Sequence, residues 1–283
     1  MREDFQSTNN LLHNTRIKRY PDGSADILVC SRPIGGGCIS VEPRRYDAAA
    51  EPSPLPPLGP EEAYADAERL AIQCEVDDVE ARARAAAQRR ARAQRRARVA
   101  VRDLGLCNEW DYFVTLTFDP GKVDSYDSAA VVRKLKSWLD NCVRRHGLCY
   151  VLVPEHHKKG RIHFHGFFNA ALPAVDSGHK DKQGHVVYNL PNWTLGFSTA
   201  IGLYGDRAAA VGYCCKYVAK QQEKIGGRWY YSGGKLKRPE VEWTDTEWAD
   251  AASCGEPFEV DGVPWLRFVR LQADAADCNN VAK

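Results

Sequence analysis

Residues 61–104 contain neither proline nor glycine and are rich in alanine. Nothing in such a run breaks helical backbone, so it predicts one long helix over 61–106. Its charge is ordered. Residues 61–81 carry eight acids and one arginine, whereas residues 82–102 carry nine arginines and no acid. A stretch so basic, with Arg89-Arg90 and Arg95-Arg96 turned to more than one face, is expected to stay unburied. It would either track nucleic-acid phosphates or be offset by the acidic half or by the acidic C-terminal stretch. Before it, Glu51 to Pro60 reads EPSPLPPLGP, and its five prolines favour the extended backbone of a linker. The earlier residues, with Gly35-Gly36-Gly37 and few periodic apolar positions, predict a poorly ordered segment, so 1–60 reads as an unordered arm ending in that linker.

Overall charge says little about partners. There are 39 Lys plus Arg against 37 Asp plus Glu, a formal charge of +2. A content of 44% hydrophobic and 10% aromatic residues excludes wholesale disorder and fibrous folds. No apolar run approaches the ~20 residues that span a bilayer, and Met1 to Leu12 lack the apolar core of a secretory signal. The expectation is a cytoplasmic chain with no membrane partner. The ten cysteines form no CxxC pair, which argues against a zinc ribbon or a disulfide framework and for small buried side chains.

From Cys107 the texture changes to short alternating apolar runs bounded by Gly, Pro and Asn, the pattern of a mixed α+β domain over 107–240. Phe113 to Phe118 predicts a strand with Phe113, Thr115 and Thr117 on one side and Val114, Leu116 and Phe118 on the other. Asp127 to His146 follows helical period, with an apolar side to cover a sheet and Gly147 as its stop. Cys149 to Val153 and Ile162 to Phe168 predict an antiparallel pair joined by the turn His156 to Gly160. Asp206 to Gln222 predicts a further helix, and Arg228 to Ser232 and Leu266 to Leu271 predict short strands. Residues 151–240 hold thirteen bases and six acids, whereas 241–283 hold nine acids and three bases and read as an acidic extension.

Two motifs carry chemistry. In IHFHGFF, His163 and His165 fall on one face of a strand, roughly 7 Å apart by strand rise. Glu155 ends the preceding strand and can return beside them. Two imidazoles and a carboxylate suit a divalent ion, Mg²⁺ or Mn²⁺, acting on a phosphate. His156 or His157 could replace Glu155. The plainer alternative is a pair of half-exposed histidines on a strand. Position 167 is Phe, which excludes a histidine-triad hydrolase, and no His pair lies four apart on a helix as zinc peptidases require.

The second motif is DRAAAVGYCCKYVAKQQ. At ~100° per residue, Tyr213, Lys216, Tyr217 and Lys220 fall within roughly one 100° arc, opposite Val211, Cys214, Cys215 and Val218. A solvated face accounts for the lysines but less well for paired phenols. A phenol with a pKa near ~10 is a weak nucleophile until positive charge lies near it.

In this order, FVTLTF, Glu155 with His-Phe-His, and Tyr-x-x-Lys-Tyr-x-x-Lys resemble the HUH endonuclease family, specifically its two-tyrosine rolling-circle replication initiators. The resemblance covers roughly 107–240 and implies an HUH/ferredoxin-like nuclease domain, an antiparallel sheet of about five strands flanked by helices. It implies metal-dependent nicking of single-stranded origin DNA at a stem-loop. Tyr213 or Tyr217 would form a 5′-phosphotyrosine, the second tyrosine would serve strand transfer, and Lys216 and Lys220 would offset transition-state charge. The segment GRWYYSGGKLKRP resembles the basic hairpin that follows the tyrosine helix in phage initiators, which makes Arg228, Trp229, Lys235, Lys237 and Arg238 candidate DNA contacts. No P-loop occurs, so a host helicase and polymerase are expected partners. A relaxase or transposase shares this chemistry, although relaxases carry their tyrosine ahead of the histidines. A metal-stabilised binding module is the rival without catalysis.

Overall fold

The computed structural model describes residues 13–31, 34, 60–203, 205, 207–246, 258–259 and 266–271. Its elements in chain order are β1 (Thr15–Arg19), β2 (Ala25–Cys30), α1 (Pro60–Cys107), β3 (Tyr112–Phe118), α2 (Ser128–His146), β4 (Tyr150–His156), β5 (Ile162–Phe168), β6 (Val175–Lys180), β7 (Val186–Asn189), β8 (Gly196–Gly202), α3 (Arg207–Lys220), β9 (Tyr231–Gly233), β10 (Glu240–Thr244), β11 (Phe258–Glu259) and β12 (Leu266–Leu271). Among the described residues these form two antiparallel sheets and three helices, an α+β architecture.

The chain divides into two compact units, one of residues 38–93 and one of 1–37 with 94–283. In the first, the described part is the N-terminal stretch of α1. Its side chains from Val76 onward are largely exposed, and Arg82 bonds Asp78 at 2.8 Å across one helical turn, where the acidic and basic halves meet. In the second unit, the end of α1 departs from the expectation of a wholly unburied basic helix. Ala97, Val101 and Leu104 are buried at helical spacing, while the arginines between them point away.

The larger sheet has the order β6-β7-β8-β3-β5-β4-β9. On one of its faces Val114, Leu116 and Phe118 of β3 and Phe164 and Phe168 of β5 are fully buried, in a cluster with the α2 stripe Val131, Leu135 and Leu139. Asp127 caps α2, its carboxylate accepting from the Ala129 and Ala130 amides, and Gly147 ends it in left-handed backbone at φ +72°. The opposite face of β3 and β5 is left for the functional residues. The sheet is wider than expected because β6, β7 and β8 extend it past β3. The expected strand at Arg228 to Ser232 appears instead as the shorter β9, which begins at Tyr231.

The smaller sheet, in the order β10-β1-β2-β12-β11, corrects two sequence expectations. Residues 15–30 are a paired hairpin, not an unordered arm, and residues 240–271 supply three strands, not only an acidic extension. TRIKR offers a single aliphatic side chain, so its order comes from partners at the far end of the chain. Thr15 pairs with Thr244, and Leu28 with Phe268. On one face of this sheet Ile17, Ala25, Ile27, Val29 and Val269 form a small core. The remaining parts of 1–60 and 241–283, including the linker, lie outside the described residues.

Candidate active site

The site lies on the sheet face that α2 does not cover. In β3 and β5, Thr115 stands opposite His165 and Thr117 opposite His163, and β4 sets Glu155 opposite His163. Directly opposed residues of an antiparallel pair project to the same side. Each threonine hydroxyl therefore meets a ring nitrogen: Thr115 Oγ1 lies 3.0 Å from His165 Nδ1, and Thr117 Oγ1 2.9 Å from His163 Nδ1. These contacts hold both rings by one nitrogen and leave each Nε2 for other partners. For His165 that partner is Glu155, with Nε2 at 3.1 Å from Oε2.

Both imidazoles are neutral near pH 7. Burial, with the adjacent His163, pushes His165 down to about 4, and burial with His157 and Arg161 nearby lowers His163. The His165–Glu155 contact is accordingly a hydrogen bond from a neutral ring rather than an ion pair. In that tautomer Nε2–H donates to Glu155 and the Thr115 hydroxyl donates to Nδ1. Ligation of a cation at Nε2 would need the other tautomer, with Nδ1–H donating to Thr115, and a hydroxyl serves either way.

The donor set of Glu155, His163 and His165 fits a borderline divalent ion in its chemistry, with neutral nitrogens and a carboxylate. As placed, Glu155 bonds His165 directly. Among the described residues no group of three or more His, Cys, Asp or Glu is arranged around a shared point for a metal. His157, read from the sequence as a substitute ligand, lies with its ring centroid 5.4 Å from that of His163, whereas His156 faces Glu223 at 3.9 Å.

Helix α3 packs over β4 and β5 and brings the tyrosines to this face. Tyr217 is stacked on His165, ring centroids 4.4 Å apart and planes 8° from parallel, and its hydroxyl donates to that of Tyr213 at 2.8 Å. The expected pair of exposed phenols is thus unequal. Tyr213 is 50% exposed, its ring edge against Phe113, while Tyr217 is only 9% exposed. Burial raises the Tyr217 hydroxyl far above an ordinary phenol, and the hydrogen bond to Tyr213 and the charge of Glu155 act in the same direction. The helix is anchored at its end by two glutamines. Gln94 of α1 donates to the carbonyls of Val218, Ala219 and Gln221, and Gln221 donates to those of Pro154 and Trp229.

The other expected site residues divide. Lys220 Nζ lies 5.7 Å from the centre of the Tyr217 ring. Lys216 does not join it: it lines a separate cleft with Gly212, Cys215 and Ala219. The 100° arc that grouped it with the tyrosines was too wide, because α3 is covered on two sides and Lys216 sits at the boundary. Lys235, Lys237 and Arg238 are exposed, and Lys237 is fixed through its backbone to the Asn108 side chain at 2.8 and 3.0 Å. Arg228 lies over the Tyr231 ring, 5.9 Å from its centre. Trp229 is corrected from a stacking platform to a core residue, 6% exposed, because it folds under the turn that leads into β9.

Sequence reasoning missed the two threonines. The available signal was a Thr-x-Thr on the strand expected beside a His-x-His, with the same period-two spacing.

Residues 111–222 match the model of a family described as replication-associated proteins of the ORF2 type. That span runs from the start of β3 to just past α3, so it contains the threonines, the histidines and both tyrosines. Over it the chain is similar to replication-associated proteins, and a role in initiating replication follows from that likeness. No curated protein and no solved structure matches the chain.

Proposed function

We propose that the chain is a two-tyrosine nicking enzyme of the HUH type that starts rolling-circle replication on single-stranded origin DNA. The observation that carries this reading is the contact of Tyr217 with His165 and, through its hydroxyl, with Tyr213. It joins a candidate nucleophile to a histidine strand in one site.

Tyr213 acts first in this scheme. It is the accessible phenol, and its oxygen accepts the Tyr217 hydrogen bond, which favours the charge that builds on it as it attacks. Its oxygen bonds to phosphorus as the bond from phosphorus to the 3′-oxygen breaks. The phenol proton passes to water, and the departing 3′-oxygen takes one up. The products are a 5′-phosphotyrosine and a 3′-hydroxyl that primes synthesis. Lys220 stands beside the ring pair to offset negative charge on the phosphoryl oxygens. Tyr217, one helical turn away, serves the second cleavage and the strand transfer that closes the circle. A divalent cation held by Glu155, His163 and His165 would supply Lewis-acid polarisation of the phosphate. The same reading makes an origin stem-loop the substrate and a host helicase and polymerase the partners.

Burial of Tyr217 also favours this reading over a binding module whose tyrosines stack bases, since the face of its ring is already taken by His165. The test is covalent trapping. With Mg²⁺ or Mn²⁺ and a labelled origin-containing single strand, the wild type should form a protein–DNA adduct resistant to denaturant. The double variant Tyr213→Phe, Tyr217→Phe should form none. An adduct of equal yield from that variant, or none from the wild type, overturns the proposal.

A further inference from the structure

Behind α3, on the side away from the tyrosines, a cleft of about 760 Å³ opens between the smaller sheet, the end of α1 and α3. We propose that this cleft holds the backbone of single-stranded DNA flanking the bond to be cut. This rests on the reading of the chain as an enzyme of single-stranded DNA.

Charge is the first reason. Six cationic and two acidic side chains line the cleft. Asp26 accepts from Arg102 and Arg270, and Lys18 pairs with Asp103, which also accepts from the Tyr20 hydroxyl at 2.8 Å. That network neutralises its own members. It leaves Arg16, Arg98 and Lys216 with no carboxylate partner among the described residues.

The second reason is an unmet donor. The Arg16 Nε atom is buried and has no hydrogen-bond partner among the described residues, although the guanidinium lies over the Trp243 ring, 5.9 Å from its centre. Leaving a buried charged donor unsatisfied is costly in a folded chain, and an anionic oxygen would relieve it.

Shape and chemistry select the ligand. Cross-strand pairing aligns Trp243, Arg16, Leu28 and Phe268 in one row across β10, β1, β2 and β12. A row of aromatic and aliphatic side chains beside free cations suits bases with phosphates, as in sequence-tolerant single-strand sites. The cleft is walled by helices on one side and a sheet on the other. A volume of this size admits a strand but not a duplex, whose major groove alone is ~12 Å wide. One helix, α3, would thus present its tyrosines to the scissile phosphate and the Gly212, Lys216 and Ala219 side to the flank.

The test uses the full chain and fluorescence-labelled oligothymidine of about 30 nucleotides, longer than the ~4–16 of a typical single-strand site. Affinity is measured across a salt series for wild type, Arg98→Ala, Arg98→Glu and Arg16→Gln, with melting curves as the folding control. Arg98 is exposed, so its variants should melt with the wild type. Each cation removed should make the plot of log affinity against log salt shallower by about 0.7, the single-strand value per phosphate contact. Arg98→Glu should bind about tenfold more weakly, a change of ~1.4 kcal/mol. Adduct formation on a strand only long enough to span the cut should be unchanged.

Wild-type affinity and slope in the Arg98 variants overturn the proposal, as does a loss confined to duplex DNA. The two readings fail separately. An adduct with no Arg98 effect removes the cleft alone, whereas an Arg98 effect with no wild-type adduct removes the nicking reading and leaves the cleft as a single-strand site.

Discussion

Two side chains of the same type, four residues apart, have different surroundings here, and the difference has measurable consequences. Tyr213 is half in solvent and accepts a hydrogen bond, while Tyr217 is buried on an imidazole and donates one. In a single-turnover assay Tyr213→Phe should abolish the first cleavage, and Tyr217→Phe should keep it while losing rejoining. The threonines should matter through the histidines they hold. Thr115→Val keeps the shape of the strand but removes the bond to His165 Nδ1. Loss of such an outer partner weakens metal binding ~10- to 100-fold. Calorimetric titration with Mn²⁺ should show that fall with an unchanged melting curve. His163, His165, Glu155 and both tyrosines were legible because alternation and helical period alone decide which residues share a face. Lys216 and Trp229 were misplaced because their positions depend on which side of an element is covered, and that is settled by partners distant in sequence.

At the scale of elements, two glycines mark where backbones come closest. A Cβ on Gly166, between His165 and Phe167, would lie 1.9 Å from the Val151 carbonyl oxygen of the neighbouring strand. Backbone cannot step aside there, so Gly166→Ala should destabilise the chain by about 3 kcal/mol, the upper end of the usual cost of overpacking. A Cβ on Gly105 would meet Val211 Cγ2 of α3 at 2.6 Å, a side chain that can turn. Alanine also favours helix by ~1 kcal/mol, so Gly105→Ala should cost much less. Urea midpoints of the two variants compare them directly. The elements read correctly from sequence were those with strong internal patterns: α1, α2, α3, β3 and β5. Strand β6, VDSGHK, is mostly exposed and has no alternation to detect. Strand β1 is ordered only by pairing with residues more than 200 positions away.

For the whole molecule, the network around Asp26 ties the smaller sheet to the end of α1. Burial alone would raise the Asp26 carboxyl, but hydrogen bonds and charge from Arg102 and Arg270 outweigh it, and the net effect is a lowered value. The folded chain therefore holds this proton less tightly than the unfolded chain, whose carboxyl titrates near 3.8. The stability it contributes is complete above that pH and is lost as pH falls through the lower folded value. Asp26→Asn should flatten this acid limb. It should also cost about 3 kcal/mol at neutral pH, because two guanidinium groups lose their shared carboxylate. Melting temperature followed between neutral and acid pH, in both proteins, measures each effect. None of this was legible in the sequence, where Asp26, Arg102 and Arg270 stand far apart and unpatterned.

The smaller sheet draws its strands from both ends of the chain: β1 and β2 lie within residues 15–30, and β10, β11 and β12 within 240–271. A ribosome releases them in that order. The first hairpin must therefore emerge with both outer edges bare and remain so while the long helix and the histidine strands are being made. Only after the last strands appear can those edges close, at the loop-closure cost that contacts so remote impose. Assembly of this sheet, and of the basic cleft it walls, is thus among the last events in the maturation of the chain.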